Sequence, residues 1–144
     1  MTKRISLEAA RGAWRLMAAL AFLATALLAH HSFGAEYDAT KPVTLTGAVT
    51  KVEWMNPHVY FHIDVKDTAG TVTNWAIEGG APNTLYRAGW RKDSVKFGDV
   101  VTVYGYLARD GTHLANMRSA MLSDGRNLFG GQNDGGPPPK PPGR

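Results

Sequence analysis

The sequence predicts an all-β domain, a small five-stranded Greek-key barrel of the OB type, with one short helix between its third and fourth strands. Three observations carry this. Residues 58–66 alternate polar and apolar side chains without a break, a segment of different period (82–88) stands between the third and fourth strand signals, and the first strand changes its apolar phase beside a glycine. A β-sandwich would need about seven strands and has no preferred place for that helix.

The first strand, Val43 to Trp54, is rich in β-branched residues. Its apolar phase runs Val43, Leu45, Val49 and then shifts to Val52 and Trp54. A phase shift near Gly47 predicts a bulge that lets one long strand pair on both sides of a barrel. Met55, Asn56 and Pro57 make a turn, since proline cannot donate to a ladder and restrains the residue before it. In the second strand Val59, Phe61, Ile63 and Val65 share one face, and His58, Tyr60, His62, Asp64 and Lys66 the other. A turn over Asp67 to Gly70 leads to the third strand, Thr71 to Glu78, with Val72, Trp75 and Ile77 as core contributors. Pro82 to Ala88 reads as a helix opened by proline and closed by Gly89, with Leu85 and Tyr86 placed to plug the barrel's open end. The turn Lys96 to Asp99 precedes the fourth strand, Val100 to Ala108. The hairpin turn Arg109 to Thr112 precedes the fifth, His113 to Leu122.

The two ends of the chain read differently. Lys3, Arg4, Arg11 and Arg15 precede an apolar run from Leu16 to Leu28, and Ala24, Ala26 and Ala29 supply the small residues a signal peptidase requires. Residues 1–29 are therefore read as a Sec-type signal peptide cut after Ala29, with a cut after Ala26 as the rival. An uncleaved anchor is disfavoured, because the 13 residues from Leu16 to Leu28 fall short of the roughly 20 a spanning helix needs. Residues 30–40 form the start of the mature chain and 41–129 the barrel. Residues 130–144 are a disordered tail in which glycine and proline fill ten of fifteen positions. The expected address is the periplasm, with no stable membrane insertion once the signal is gone.

The whole chain of 144 residues carries 16 Lys+Arg against 12 Asp+Glu, but the leader holds four of the bases and one of the acids. The mature chain is nearly neutral, which argues against nucleic acid as a partner. Cysteine is absent. That excludes disulfides, thiolate metal sites, a cysteine nucleophile and a lipid-bearing cysteine.

The wording of the chain also carries a resemblance. His30-His31-Ser32-Phe33, Lys41 to Gly47 and Val49 to His58, followed by Glu78 to Asn83, Gly89 to Asp93, Gly98-Asp99 and Asp110-Gly111, resemble a secreted bacterial family known as domain of unknown function 6152. The resemblance covers nearly all of the chain between leader and tail. It implies export and a small β domain, and offers no catalytic residues to carry over.

Candidate sites must therefore come from the residues. In barrels of this type the face of strands two and three, with the loops joining strands one–two and four–five, is the usual binding surface. Those places carry Trp54, Asn56, His58, Tyr60, His62 and Arg109, able to hold a small molecule, a saccharide or an extended peptide by stacking and hydrogen bonding. Trp54 reads first as a core residue and second as part of a ligand platform. For metal, a cut after Ala29 would make His30 the amino terminus, so its amine and imidazole with His31 or His58 are a candidate copper site. His58 and His62 lie roughly 13 Å apart along a straight strand at ~3.3 Å per residue, too far to share one ion. The backbone around Gly79-Gly80-Ala81-Pro82 is a further anion candidate, its glycines equally explained by a chain reversal at positive φ. No nucleophile elbow, paired acid and base or His-Glu-x-x-His stretch is present, so the reading is a non-catalytic binding or accessory module, with copper handling as the alternative.

Overall fold

The computed structural model describes residues 33–131. The expected signal peptide of residues 1–29, the histidines His30 and His31, and the tail beyond Gly131 lie outside the described residues. In chain order the elements are α1 (Phe33–Glu36), β1 (Tyr37–Glu53), β2 (Tyr60–Lys66), β3 (Val72–Glu78), α2 (Pro82–Arg87), β4 (Val100–Ala108), β5 (Leu114–Met121) and β6 (Asn127–Phe129). The domain is mostly β, with little helix.

The six strands of the described residues belong to one sheet, in the order β3-β2-β1-β4-β5-β6, with antiparallel neighbours throughout. A further parallel pairing joins β3 to β5 through Ala76–Leu114, Ile77–Ala115 and Glu78–Asn116. The sequence predicted five strands; β6 is the sixth, and its three residues are too short to show a period. Likewise β1 starts at Tyr37 rather than near Lys41. Its opening residues pair Tyr37 with Ala108 and then slip before Pro42 meets Tyr106, so no regular alternation marks them.

The bulge predicted in the first strand lies between Val49 and Lys51, where the register with β2 shifts. Val49 donates to the Asp99 carbonyl and accepts from Gly98 N–H, both at 2.8 Å, so the bulged backbone is satisfied by the turn before β4. Gly47 is required next to it, because a Cβ there would stand 2.5 Å from the carbonyl oxygen of Asp64. The apolar faces on either side of the bulge both point inward.

The core gathers Leu45 and Val49 of β1, Phe61 and Ile63 of β2, Ile77 of β3, Val101 and Val103 of β4, and Ala115, Met117 and Ala120 of β5. Each large apolar side chain buried here contributes about 1.5–3 kcal/mol. Leu85 of α2 is fully buried and closes the core from its side, but Tyr86 points to solvent with Arg91 over its ring, so the helix plugs with one residue rather than two. Val72 is exposed as well. It has the opposite parity to Trp75 and Ile77 on an alternating strand and must face away from them.

Candidate functional site

The alternation that buries Ile77 sends its neighbour Glu78 to the opposite face of β3. There the register aligns one row of side chains across four strands: Tyr60 of β2, Glu78 of β3, Asn116 of β5 and Tyr106 of β4. A face turned from the core is ordinarily wet. Here it is covered, and Glu78 retains only 2% of its accessible surface. The cover is the first segment of the domain. Phe33 stacks on Tyr37 and meets Tyr106 edge-on, and Tyr37 itself is buried.

Burying a carboxylate requires hydrogen bonds to its oxygens. Among the described residues two side chains meet Glu78 in this way. The Tyr37 hydroxyl donates to Oε2, and Nδ1 of His58, from the loop between β1 and β2, is paired with Oε1. A carboxylate accepts, so the imidazole proton sits on Nδ1, leaving Nε2 with no hydrogen-bond partner among the described residues. The His58 side chain is 37% exposed while that of Glu78 is 3% exposed. The site thus presents one oriented ring nitrogen at the surface, held from below. Burial, and then the hydrogen bond and charge of Glu78, push the Tyr37 phenol far above its ordinary pKa. Burial and the charge of Glu78 do the same for Tyr60.

Arg109 reaches the same region from the β4–β5 turn. Its Nε donates to the carbonyls of Gly34 at 2.9 Å and Tyr37 at 3.0 Å, and its backbone N–H donates to the Glu36 carbonyl at 2.9 Å. Arg109 therefore holds the segment that covers Glu78. The structure brings His58, Tyr60 and Arg109 together around Tyr37 and Glu78, and places His62 elsewhere. Nε2 of His62 lies 3.0 Å from Glu53, which also receives Lys51 Nζ at 2.8 Å. Those two bonds, Lys51 first, hold the Glu53 carboxyl below the usual range. Trp54 is half-buried against the core, and Asn56 is exposed, joined to Pro57 by a cis peptide bond.

Of the metal candidates only His58 lies within the described residues. No group of three His, Cys, Asp or Glu side chains placed to hold an ion occurs there. The glycine pair before α2 differs from expectation: neither Gly79 nor Gly80 is at positive φ. A Cβ on Gly80 would stand 2.8 Å from the Gly131 carbonyl oxygen, and Gly80 N–H donates to Gly130, so close backbone approach dictates glycine.

Sequence reasoning missed Glu78, Tyr37 and Asn116. Glu78 was legible by counting. Pairing Lys66 with Val72 across the Asp67–Gly70 turn sets Tyr60 opposite Glu78. Tyr37 had no such signal, because the irregular register after it hides its strand.

A family model described as a family of unknown function, DUF6152, matches residues 18–116. The chain belongs to that family. Within this DUF6152 chain the matched span includes Tyr37, His58, Tyr60, Glu78 and Asn116. No curated protein matches it. Among solved structures it is similar to a chain in the crystal structure of a complex of TiaS with an isoleucine tRNA and ATP, with a TM-score of 0.43 and 21% identity over 59% of this chain. The DUF6152 chain covers 18% of that chain. No helix among the described residues is long and apolar enough to cross a membrane.

Proposed function

We propose that the protein is exported to the periplasm and binds a small ligand, without transforming it, at the surface corner formed by His58 and Tyr60 with Trp54 and Asn56 beside them. In this reading the β domain is an OB-like barrel, closed by the β3–β5 pairing, with β6 as an accessory strand. The basic and then apolar leader of residues 1–29 supports export. The observation that carries the binding reading is the buried Glu78 beneath a surface histidine. Placing a carboxylate at 2% exposure is costly, and what it secures is an imidazole with a fixed tautomer and an open Nε2. A second layer that orients one donor or acceptor is the usual support of a recognition site.

The natural ligand has the chemistry this corner meets: a hydroxyl or N–H to bond Nε2, and a flat or apolar surface to lie against Tyr60 and Trp54. Titration of the ¹⁵N-labelled exported protein with chito-oligosaccharides, extended peptides and indole tests it. One class is expected to shift the resonances of Trp54 to Tyr60 saturably, with His58→Ala weakening binding about tenfold, as loss of a charge-supported hydrogen bond does. Saturable binding that leaves residues 54–60 undisturbed, or is equal in His58→Ala, contradicts the reading. Mass spectrometry of the first residue of periplasmic material tests export in the same preparation.

A further inference from the structure

The ligand-binding corner leaves two histidines of the chain unused. His30 and His31 stand just before the domain, and Ser32 alone separates them from Phe33. Phe33 belongs to the same corner as His58. Its ring stacks on Tyr37 at 5.7 Å between centroids, the Tyr37 hydroxyl donates to one oxygen of Glu78, and the other oxygen is paired with His58. A continuous line of contacts thus joins the residue after Ser32 to the imidazole at the surface. Two residues span at most about 7 Å of chain, so covalent geometry keeps His31 close to the backbone of Phe33.

The two nitrogens of His58 are in the state that a metal ligand requires. A ligating imidazole characteristically donates its remaining N–H to a carboxylate, which fixes the ring and makes the other nitrogen a stronger electron donor. Nδ1 of His58 is paired with Glu78, whose side chain is 3% exposed, and Nε2 has no hydrogen-bond partner among the described residues. His62 lacks this arrangement. Its Nε2 lies 3.0 Å from Glu53, a partly exposed carboxylate that Lys51 also engages. Among the described residues no group of three His, Cys, Asp or Glu surrounds His58, so a complete ligand set needs donors from outside them. The nearest in sequence to the Phe33 contact are His31 and His30.

We propose that Nε2 of His58 and the imidazoles of His30 and His31 form a three-nitrogen site for one copper(II) ion. Neutral imidazole suits ions of intermediate softness, and copper(II) binds most tightly of the common divalent series at such donors. The site uses the same orientation of His58 as the binding reading above but needs no organic ligand, and the ion competes with that ligand for one lone pair. A bound ion ties the start of the domain to the loop between β1 and β2, over the segment that covers Glu78.

The test titrates copper(II) into the exported protein, first freed of metal with a chelator, and follows paramagnetic resonance and the broadening of ¹⁵N–¹H signals. One equivalent is expected to bind with nitrogen splittings from three imidazoles, and to broaden His58 and Val59 together with Phe33 and Gly34. His58→Ala, and separately the pair His30→Ala with His31→Ala, are expected to weaken binding at least about tenfold. His62→Ala is expected to bind as the wild type does. Should His58→Ala fail to fold, the broadening pattern of the wild type decides. Broadening confined to residues before Phe33, or equal affinity in His58→Ala, overturns the proposal by assigning the ion to an amino-terminal chelate alone. Copper binding no tighter in the wild type than in the His30, His31 double variant overturns it too. Either result leaves the organic-ligand titration of metal-free protein to stand or fall separately.

Discussion

Two histidine–glutamate pairs lie close together in the chain, and they have opposite characters. His62 and Glu53 face each other across the β1–β2 pairing at 3.0 Å, both partly exposed, with Lys51 sharing the carboxylate. His58 and Glu78 join the loop before β2 to the end of β3, with the carboxylate nearly inaccessible and a tyrosine on its second oxygen. The residue types are the same; the cover is not. An exposed pair on a solvated sheet face is worth little, because water and salt compete for each partner. A buried carboxylate beneath a surface imidazole fixes the geometry of what it holds, since the alternatives open to it are uncompensated.

Removing the buried acid breaks this contrast most directly. Glu78→Ala leaves the Tyr37 hydroxyl and His58 Nδ1 without their acceptor, and a loss of roughly 2–4 kcal/mol in chemical denaturation is expected. Tyr37→Phe keeps the ring against Phe33 and removes one donor to Glu78, with an expected cost of about 1–3 kcal/mol. Arg109→Ala releases the carbonyls of Gly34 and Tyr37, which accept from its side chain. The expected result is faster amide hydrogen exchange over residues 34–37, with a smaller change in global stability, of about 1 kcal/mol. Glu53→Gln should change the melting temperature least of the four, and what change there is should shrink further at high salt.

The pH dependence separates the same two regions. The Tyr37 phenol is held above its ordinary value near 10 by burial and by Glu78. Its contribution to stability is complete below pH ~10, where the unfolded phenol is still protonated, and declines as pH rises above it. Glu53 has the opposite sign. Lys51 and His62 lower its pKa, so its contribution is present above the ordinary glutamate value and is lost as pH falls through the depressed one. Stability curves of Tyr37→Phe and Glu53→Gln should therefore diverge from wild type on opposite limbs, alkaline for the first and acidic for the second.

Much of the scaffold was legible in the sequence because alternation is a strong signal where one face is buried. Phe61 and Ile63 are in the core as their parity requires. The phase change from Val49 to Val52 marks a real bulge. Pro82 and Gly89 bracket the helix. What alternation does not reveal is which polar residues on the far face become covered. Glu78, Asn116 and Arg118 all lie on that side, and a period-two pattern assigns them to solvent. The cover over Glu78 comes from Phe33 and Tyr37 at the start of the domain, and the one-residue slip in β5 has its glycine, Gly105, on the partner strand β4, where the pattern of β5 alone does not reveal it. Tertiary cover and local register are the two things that a single strand's pattern leaves out.

Glu78 fixes the His58 ring with its proton on Nδ1 and leaves Nε2 open. Long-range ¹H–¹⁵N spectra of the imidazole nitrogens at pH ~8, above the ordinary histidine value of about 6.5, read this directly. A protonated Nδ1 and a bare Nε2 are expected for His58 in the wild type, reverting to the mixed tautomers of a free imidazole in Glu78→Ala. A His58 that carries its proton on Nε2, or that gives the same spectrum with and without Glu78, contradicts it.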